Sequence, residues 1–288
     1  MLDMRGEDRV QERTVQFQSD GVTLCGTYFT PEADPVAAVV LNGATGVPHQ
    51  VYRHFARWLV TERGMACLTY DYRCFGASAT SHPKQAQTNM TEWSMLDQPA
   101  ARRELRRLCP GVPLWVIGHS LGGMTMPMQP EIEDVERMIG VACGLVHLAD
   151  HPWPYRALAS AFWFGPGKWA TDMAGYLPGR RLGFGPDLPE GVYREWRDWC
   201  TSPRAFLPRI GKDLPWPHWG RSGAPVELIS FSDDQVCPPR CSDKLAALYD
   251  VRVTTRRTLT PTQFGLGKVG HLGAFTRQNA VLWPEIVK

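Results

Sequence analysis

Short runs of apolar residues recur along this chain and alternate with segments in which apolar residues stand three or four positions apart. The runs are rich in Val, Ile, Leu and aromatic residues, as are strands buried on both faces of a parallel sheet. They are Val36–Leu41, Met65–Tyr70, Val112–Ile117, Arg137–Cys143 and Pro225–Phe231. Helical spacing predicts a helix over His49–Glu62 that ends at Gly64. A second helix is predicted over Ser94–Cys109, opening with a capping box at Ser94 and Asp97.

Strands are also predicted near both ends of the chain. Thr14–Phe17 and Val22–Phe29 flank the turn Ser19-Asp20-Gly21 and are typical of an antiparallel hairpin. Asp250–Leu259 is the last predicted strand. Strands and helices that alternate in this way predict an α/β fold class with a doubly wound, mostly parallel sheet. The functional site of such a sheet lies at the carboxyl ends of its strands.

The strand over Val112–Ile117 leads into Gly118-His119-Ser120-Leu121-Gly122. The pattern Gly-x-Ser-x-Gly is typical of a sharp strand-to-helix turn that holds the serine in a strained conformation, and the small residues let the neighbouring chain pass close by. The alternative is a structural glycine-rich turn, but the preceding strand favours Ser120 as a nucleophile. The helix that follows is expected to be irregular because of Pro127 and Pro130.

A carboxylate and a histidine follow Ser120 in the chain order Ser, Asp, His. Asp233 and Asp234 lie in the loop after the strand Pro225–Phe231. A carboxylate in that loop can accept a hydrogen bond from an imidazole Nδ1–H and stabilise the imidazolium. His271 stands in a glycine-containing loop that can direct its ring towards the sheet, so we predict that it is the base. The other seven histidines are interpreted as surface or structural residues.

Most of the chain resembles a known family. The segments that carry the resemblance are Asn42–Gly46, Asp71–Ser78, Gly118–Gly123, Gly175–Gly185, Trp196–Cys200, Asp234–Pro238 and Gly270–Phe275. They resemble a bacterial group of predicted α/β-hydrolases related to the serine aminopeptidase and monoglyceride-lipase-like branch. The resemblance implies an α/β-hydrolase fold and a Ser-Asp-His triad, and it says little about the substrate. The pattern Asp-x-Val-x-Pro, typical of the acid loop of this fold, begins at Asp234 and favours it over Asp233, whose alternative role is a solvated loop residue or a helix cap.

The same resemblance implies an oxyanion hole formed by the backbone N–H groups of Leu121 and Ala44. A loop of small residues, Asn42–Gly46, can bring amides close to a developing alkoxide. The competing interpretation of this loop is a phosphate cradle, but the loop lacks the Lys-Ser/Thr ending and the G-x-G-x-x-G spacing. Cys74 departs from the family pattern Asp-Tyr-Arg-Gly-x-Gly, which has glycine at this position, and the departure concerns the local turn geometry.

The middle of the chain has a different composition from the rest. Residues 147–220 hold seven of the eleven tryptophans and ten of the 24 prolines. We therefore predict that 147–220 form a helical cap inserted into an α/β-hydrolase core of residues 1–146 and 221–288. Most of these tryptophans are expected to pack the cap onto the core. Some, with Trp163 and Trp169 as candidates, are expected to line an apolar substrate pocket above Ser120.

Charge and targeting features narrow the class of protein. The net charge of +2 gives no electrostatic reason to expect nucleic-acid binding. The cluster Arg102, Arg103, Arg106 and Arg107 is interpreted as the solvated face of a helix. The N-terminal segment 1–9 is charged and lacks the apolar core of a signal peptide. No apolar run reaches the length of a membrane span.

The eight cysteines are scattered along the chain. Cys67 and Cys143 lie in predicted strands and are expected to be buried thiols. Cys237 and Cys241 are four positions apart, but no second pair or histidine completes a zinc pattern. Free thiols and a cytoplasmic location are therefore predicted, with no metal site.

These features together predict a serine hydrolase that cleaves small-molecule carboxylic esters with small to medium apolar acyl groups. The reaction would proceed through an acyl-enzyme, with Ser120 as nucleophile, His271 as base and Asp234 as its partner, and without a metal or organic cofactor. A thioesterase, lactonase or amidase would use the same triad, and an acyltransferase would replace water by an alcohol or amine. A non-catalytic ligand-binding protein is the alternative from another class. The oligomeric state is left open, a homodimer included.

Overall fold

A computed structural model describes residues 10–249 and 254–288. Segment 1–9, and residues 250–253 of the predicted last strand, lie outside the described residues. The strands of the main sheet are β1 (Val10–Ser19), β2 (Val22–Pro31), β3 (Ala38–Asn42), β4 (Ala66–Tyr70), β5 (Leu114–His119), β6 (Val135–Val141), β9 (Val226–Phe231) and β10 (Thr254–Leu259). A separate short pair consists of β7 (Tyr176–Leu177) and β8 (Leu188–Pro189).

The main sheet has the order β1-β2-β4-β3-β5-β6-β9-β10. β2 runs antiparallel to β1 and β4, and the other neighbouring strands of the sheet are parallel. The turn between β1 and β2 has two central residues with positive φ, Asp20 at 48° and Gly21 at 77°, which suits the twist of a tight hairpin. The predicted fold class, a doubly wound and mostly parallel sheet, is confirmed.

Helices cover the sheet and continue between β6 and β9. They are α1 (Arg53–Arg63), α2 (Met90–Glu92), α3 (Gln98–Leu108), α4 (Leu121–Met124), α5 (Tyr155–Phe164), α6 (Pro166–Ala174), α7 (Gly179–Leu182), α8 (Glu190–Thr201), α9 (Pro239–Ala246) and α10 (Trp283–Ile286). A 3₁₀ turn over His49–Tyr52 precedes α1, and Gly64 ends α1 in the left-handed conformation with φ 62°. Elements α5 to α8, with β7 and β8, occupy the part of the chain predicted to form the cap, and the boundaries 147–220 stay a prediction.

Two apolar cores lie on the two faces of the sheet. Successive residues of a strand point to opposite faces, so Val40 packs in one core and its neighbours Val39 and Leu41 pack in the other. Residues of α3, α9 and the predicted cap belong to the first core, and residues of α1 and α10 belong to the second. Burial on both faces explains why the central strands are continuously apolar.

The predicted capping box at Ser94 and Asp97 is wrong. The helical segment begins earlier: Asn89 Oδ1 accepts the Glu92 N–H at 2.8 Å, and Glu92 Oε2 accepts the Asn89 N–H at 3.3 Å. Ser94 is fully buried within a π-helical turn that leads into α3. The Asp97 carboxylate instead accepts hydrogen bonds from the main chain and the guanidinium of Arg73, each at 2.8 Å. Asp97 therefore forms a tertiary ion pair with Arg73, although the local sequence spacing predicted that it would cap a helix.

The interpretation of the arginine cluster is correct for part of it. Arg103 and Arg107 are solvated, with side chains 52% and 69% exposed. Arg102 is buried and donates to Gln129 Oε1 and to the carbonyl oxygen of Pro130. Its acceptors lie in the segment after the serine turn, a long-range contact that the helix sequence does not reveal.

Candidate active site

The backbone around Ser120 has the conformation that the glycines on either side predict. Ser120 lies between β5 and α4 with φ 54° and ψ −116°, a strained conformation for a residue with a side chain. A Cβ atom at Gly118 would collide with the main chain at Gly122, and one at Gly122 would collide with the main chain at Asn42. The two glycines are therefore needed for close packing of the turn.

The loops after β9 and β10 bring the other two predicted residues to Ser120. Ser120 Oγ lies 3.0 Å from His271 Nε2, and His271 Nδ1 lies 2.8 Å from Asp234 Oδ2. The hydroxyl can thus donate to Nε2 while Nδ1–H donates to the carboxylate. These contacts join residues 151 and 37 positions apart in the chain. The structure therefore places all three side chains in one hydrogen-bonded series.

Asp234 is held by its own loop. Its Oδ1 accepts the N–H groups of Val236 at 2.8 Å and Cys237 at 2.9 Å. Burial acts to raise the pKa of Asp234, but His271 and the two amides together outweigh burial and hold the pKa below its ordinary value. The carboxylate is therefore charged at neutral pH and faces the imidazole as an anion.

Asp233 has a structural role that neither of its predicted alternatives describes. Its Oδ2 accepts the N–H groups of Val269 at 2.8 Å and Gly270 at 2.9 Å. Gly270 has φ 59°, a conformation that glycine adopts without strain. Asp233 thus ties the loop that carries His271 to the loop that carries Asp234.

A second imidazole, His119, connects the histidine loop to the loop after β3. His119 is buried, and its Nδ1 lies 2.8 Å from Tyr52 Oη. Tyr52 Oη accepts the N–H of Ala44 at 2.9 Å, so its single proton is directed at His119 Nδ1. The His119 proton then resides on Nε2, which donates to the carbonyl oxygen of His271 at 2.9 Å. Burial, with a smaller effect of His271, lowers the pKa of His119 to about 3, which keeps the ring neutral.

The two predicted oxyanion donors differ in their present partners. Leu121 is the first residue of α4, so its N–H has no acceptor within that helix. The Ala44 N–H is engaged by the Tyr52 hydroxyl. Both residues line the same cavity as Ser120. The Leu121 amide is thus available to a ligand, whereas the Ala44 amide must share or exchange its hydrogen bond; the role of Ala44 stays a prediction.

Asn42, where β3 ends, anchors the loop that contains Ala44. Its Oδ1 accepts a hydrogen bond from the Tyr70 hydroxyl at 2.8 Å, and its Nδ2 donates to Gln98 Oε1 at 3.1 Å and to the Gly122 carbonyl oxygen at 3.3 Å. These groups are buried, so the hydrogen bonds hold the loop against the serine turn. Sequence analysis missed this anchor, and also Tyr52, because each contact spans distant parts of the chain.

A cavity of about 470 Å³ opens above Ser120 and His271. Its walls are mostly apolar and come partly from the predicted cap and partly from the core loops that carry Ala44, Ser120 and His271. The apolar and aromatic residues that line it include Met124, Val146, Leu158, Phe162, Trp163, Phe184, Trp196 and Trp199. Among the described residues on its wall there is no Asp, Glu, Lys or Arg side chain. The cavity is suited to an uncharged, largely apolar ligand.

The two tryptophans singled out from the sequence lie in different places. Trp163 is buried and lines the cavity. Trp169 is 63% exposed and does not lie on the cavity wall. Trp196 and Trp199 of α8, which sequence analysis left unassigned, are on the wall instead. The two residues are three positions apart and project from the same side of α8. The Trp196 ring meets the rings of Phe162 and Trp163 in α5 edge to face, a contact that the sequence alone does not show.

All eight cysteines are free thiols, and Cys67 and Cys143 are buried as expected. Within residues 10–249 and 254–288, no group of three or more His, Cys, Asp or Glu side chains has a metal-binding arrangement. In the same part of the chain, no helix combines the length and apolar character needed to cross a bilayer.

The sequence from residue 38 to residue 281 matches the model of the alpha/beta hydrolase family. The chain belongs to this family. The match begins at β3 and includes Ser120, Asp234 and His271. No curated protein sequence matches the chain. The superfamily resemblance inferred from the motifs is thereby confirmed.

Several solved structures, esterases among them, share the fold at low sequence identity. Est1E from Butyrivibrio proteoclasticus with bound ferulic acid has 12% identity and a TM-score of 0.57, over 94% of this chain and 96% of that chain. The Pyrococcus furiosus esterase Pf2001 has 14% identity and a TM-score of 0.59, over 96% and 88%. The esterase domain of a Rhodothermus marinus protein has 16% identity and a TM-score of 0.56, over 96% of both chains. At these identities the likeness establishes the fold.

Proposed function

We propose that this alpha/beta hydrolase is a serine esterase with Ser120, His271 and Asp234 as its catalytic triad. The observation that carries the proposal is the hydrogen-bonded series from Ser120 Oγ through His271 to Asp234, with separations of 3.0 and 2.8 Å. Nucleophile, base and orienting acid have these mutual positions in triads on several unrelated folds. The esterase structures that share the fold support the same reaction class.

In the proposed reaction the Ser120 oxygen attacks the ester carbonyl while His271 Nε2 takes its proton. The negative charge on the tetrahedral intermediate is stabilised by the Leu121 N–H and by the Ala44 N–H once that amide shares its bond with Tyr52. His271 then protonates the departing alcohol, which leaves an acyl-enzyme. A water molecule deprotonated by His271 releases the acid and restores Ser120. The scheme uses no metal or organic cofactor.

The proposed substrate is an uncharged ester with an apolar acyl group of small to medium size. The cavity volume and its apolar wall support this choice. A charged group bound there would lose its hydration without gaining an ionic partner from the described wall, which costs several kcal/mol. The same argument disfavours amino-acid esters with a free ammonium group and acyl groups that carry a carboxylate.

Labelling with a fluorophosphonate probe, followed by peptide mapping, tests the nucleophile directly. The label is expected on Ser120 in the wild-type protein and is expected to be absent from Ser120→Ala. Ser120→Ala should also reduce hydrolysis of p-nitrophenyl butyrate by several orders of magnitude while its circular dichroism spectrum stays unchanged. Labelling at another residue, or retention of more than a few per cent of the wild-type rate, would refute the assignment.

A further inference from the structure

Two polar side chains of the predicted cap lie on the cavity wall outside the triad. They are His151 and Tyr155, near the start of α5. Their rings meet edge to face, with centroids 5.2 Å apart. Most of the surrounding wall is apolar, so any polar atom that these residues present to the cavity is a distinct recognition feature.

His151 presents an unused hydrogen-bond acceptor to this cavity. The residue is 4% exposed, and its Nδ1 lies 3.0 Å from the carbonyl oxygen of Gln235. A carbonyl can only accept, so the proton of the neutral ring resides on Nδ1 and Nε2 carries a lone pair. Within the described residues no group hydrogen-bonds to that Nε2. The atom is also not completely enclosed by the surrounding protein. It is therefore open to the cavity that His151 lines.

Both residues are uncharged in this environment. Burial lowers the pKa of His151, against the opposing effect of the Gln235 carbonyl. Burial likewise raises the pKa of Tyr155, so its phenol stays protonated. A neutral imidazole in an uncharged cavity suits a neutral donor. A cationic donor would lack the anionic partner that burial of a charge requires.

We propose, on the basis of the esterase function above, that His151 Nε2 is a binding subsite for a hydroxyl group of the substrate. The substrate class is then an uncharged ester that carries an alcohol or phenol hydroxyl at a distance from the scissile bond. That hydroxyl donates to Nε2, and the carbon skeleton that bears it packs on the apolar and aromatic wall. The subsite lies beside Gln235, the residue after Asp234, and is separate from the oxyanion donors Leu121 and Ala44.

A substrate that lacks the hydroxyl leaves His151 Nε2 buried as an unsatisfied acceptor. The free-energy cost of that unsatisfied acceptor makes the protein selective for substrates that carry the hydroxyl. Loss of one buried hydrogen bond in a dry site costs about tenfold or more in kcat/KM. A methoxy group tests donation, because it keeps the oxygen but has no O–H to donate. It also adds a methyl group, so the unsubstituted parent ester is the second comparison. A preference for the hydroxyl compound over both partners that is lost in His151→Asn reports an acceptor on the protein.

The experiment measures kcat/KM for methyl esters in matched sets. One set is methyl 3-phenylpropanoate with hydrogen, hydroxyl or methoxy at ring positions 2, 3 and 4. The other is the linear hydroxyalkanoates of four to eight carbons with their methyl ethers and parent esters. In the wild-type protein at least one hydroxyl compound should exceed both of its partners by about tenfold or more. In His151→Asn the hydroxyl-to-methoxy ratio should fall to within about twofold of unity.

The asparagine variant is chosen because its side-chain N–H₂ stands where Nδ1–H stands and can keep the bond to Gln235, while the acceptor at Nε2 is lost. His147→Asn is the matched control: it changes a neighbouring histidine whose Nδ1 caps the backbone N–H of Ala149, a role that asparagine also fills. It should keep the wild-type ratio. If His151→Asn does not fold, His151→Phe replaces it and should show the same loss of preference.

Three results would overturn the inference. The first is hydrolysis of the parent esters by the wild-type protein without preference for any hydroxyl compound. The second is a preference that survives the loss of His151. The third is failure of the wild-type protein both to hydrolyse the parent esters and to take up the fluorophosphonate, which removes the proposed esterase function and this subsite with it. Labelling with the probe thus separates failure of the function from failure of the subsite.

Discussion

Asp234 offers His271 a single carboxylate oxygen. Oδ2 lies 2.8 Å from His271 Nδ1, while Oδ1 accepts the N–H groups of Val236 and Cys237. The two oxygens therefore have different hydrogen-bond partners: Oδ1 is bound by the backbone of its own loop, and Oδ2 faces the imidazole. This asymmetry determines which way an amide would orient at the same position.

In Asp234→Asn the amide oxygen should take the place of Oδ1, because the Val236 and Cys237 amides need an acceptor. The N–H₂ group would then face His271 Nδ1 and donate to it, so the ring proton would move to Nε2. A ring protonated on Nε2 cannot accept the proton of Ser120. We expect kcat to fall by about 10⁴, measured on p-nitrophenyl butyrate.

Asp233→Asn is the matched control for that variant. Its amide oxygen can still accept the N–H groups of Val269 and Gly270, as Asp233 Oδ2 does. The expected loss of kcat is therefore less than about tenfold. A larger loss in Asp233→Asn than in Asp234→Asn would mean that the acid has been assigned one residue too late.

The buried His119 should make folding stability depend on pH. Its pKa is about 3 in the folded protein and about 6.5 when unfolded, so the unfolded chain binds one more proton between these values. Stability from this group is complete above about pH 6.5 and is lost as pH falls towards about 3, at up to about 1.4 kcal/mol per pH unit. Urea unfolding at pH 7, 6 and 5 measures the slope.

His119→Asn serves as the comparison because asparagine does not titrate and its side-chain oxygen can still accept from Tyr52. It should be less stable at pH 7, since the bond to the His271 carbonyl is lost, but its stability should fall less steeply below pH 6.5. Other buried groups, including His151, contribute to the slope in both proteins, so the difference isolates His119. Equal slopes in the two proteins would show that His119 is not held neutral by the fold.

The hydrogen-bonded series of Ser120, His271 and Asp234 could be predicted because each member lies in a short contiguous motif in a segment that follows a strand. Ser120 needs glycines two positions away on either side, and those glycines are visible in the sequence. Arg102 shows the limit of this approach, since its neighbours in the helix suggest a solvated face while its acceptors lie 27 and 28 positions away. The Tyr52–His119 bond joins residues 67 positions apart and likewise carries no local pattern.

Cys74 lies in a backbone conformation that favours glycine, as the family pattern implies. Its φ is 59°, where a side chain on an L-residue costs about 1–2 kcal/mol. Glycine removes this strain but gains freedom in the unfolded chain, about 0.5–1 kcal/mol. We expect Cys74→Gly to raise the free energy of unfolding by up to about 1 kcal/mol, measured by urea denaturation.

Cys74→Ala separates backbone strain from loss of the thiol. Alanine keeps the Cβ atom and therefore the strain, but it removes the half-buried sulfur. Its stability should be equal to or below that of the wild-type protein. Equal stabilisation by alanine and glycine would contradict the strain argument and would point to the sulfur as the unfavourable group.

The apolar wall of the cavity should be visible in the acyl-chain preference of the enzyme. Burial of each methylene contributes about 0.8 kcal/mol, or roughly fourfold in transition-state binding. The kcat/KM values for p-nitrophenyl esters should therefore rise from acetate to about butyrate or hexanoate and then level off as the cavity fills.

Trp163→Phe should move the optimum to a longer chain, because Trp163 lines the cavity. Trp169→Phe should leave the profile unchanged, because Trp169 is 63% exposed and lies off the wall. A steady fall from acetate upwards would mean that the wall does not bind the acyl chain, and the apolar-ester proposal would have to be abandoned.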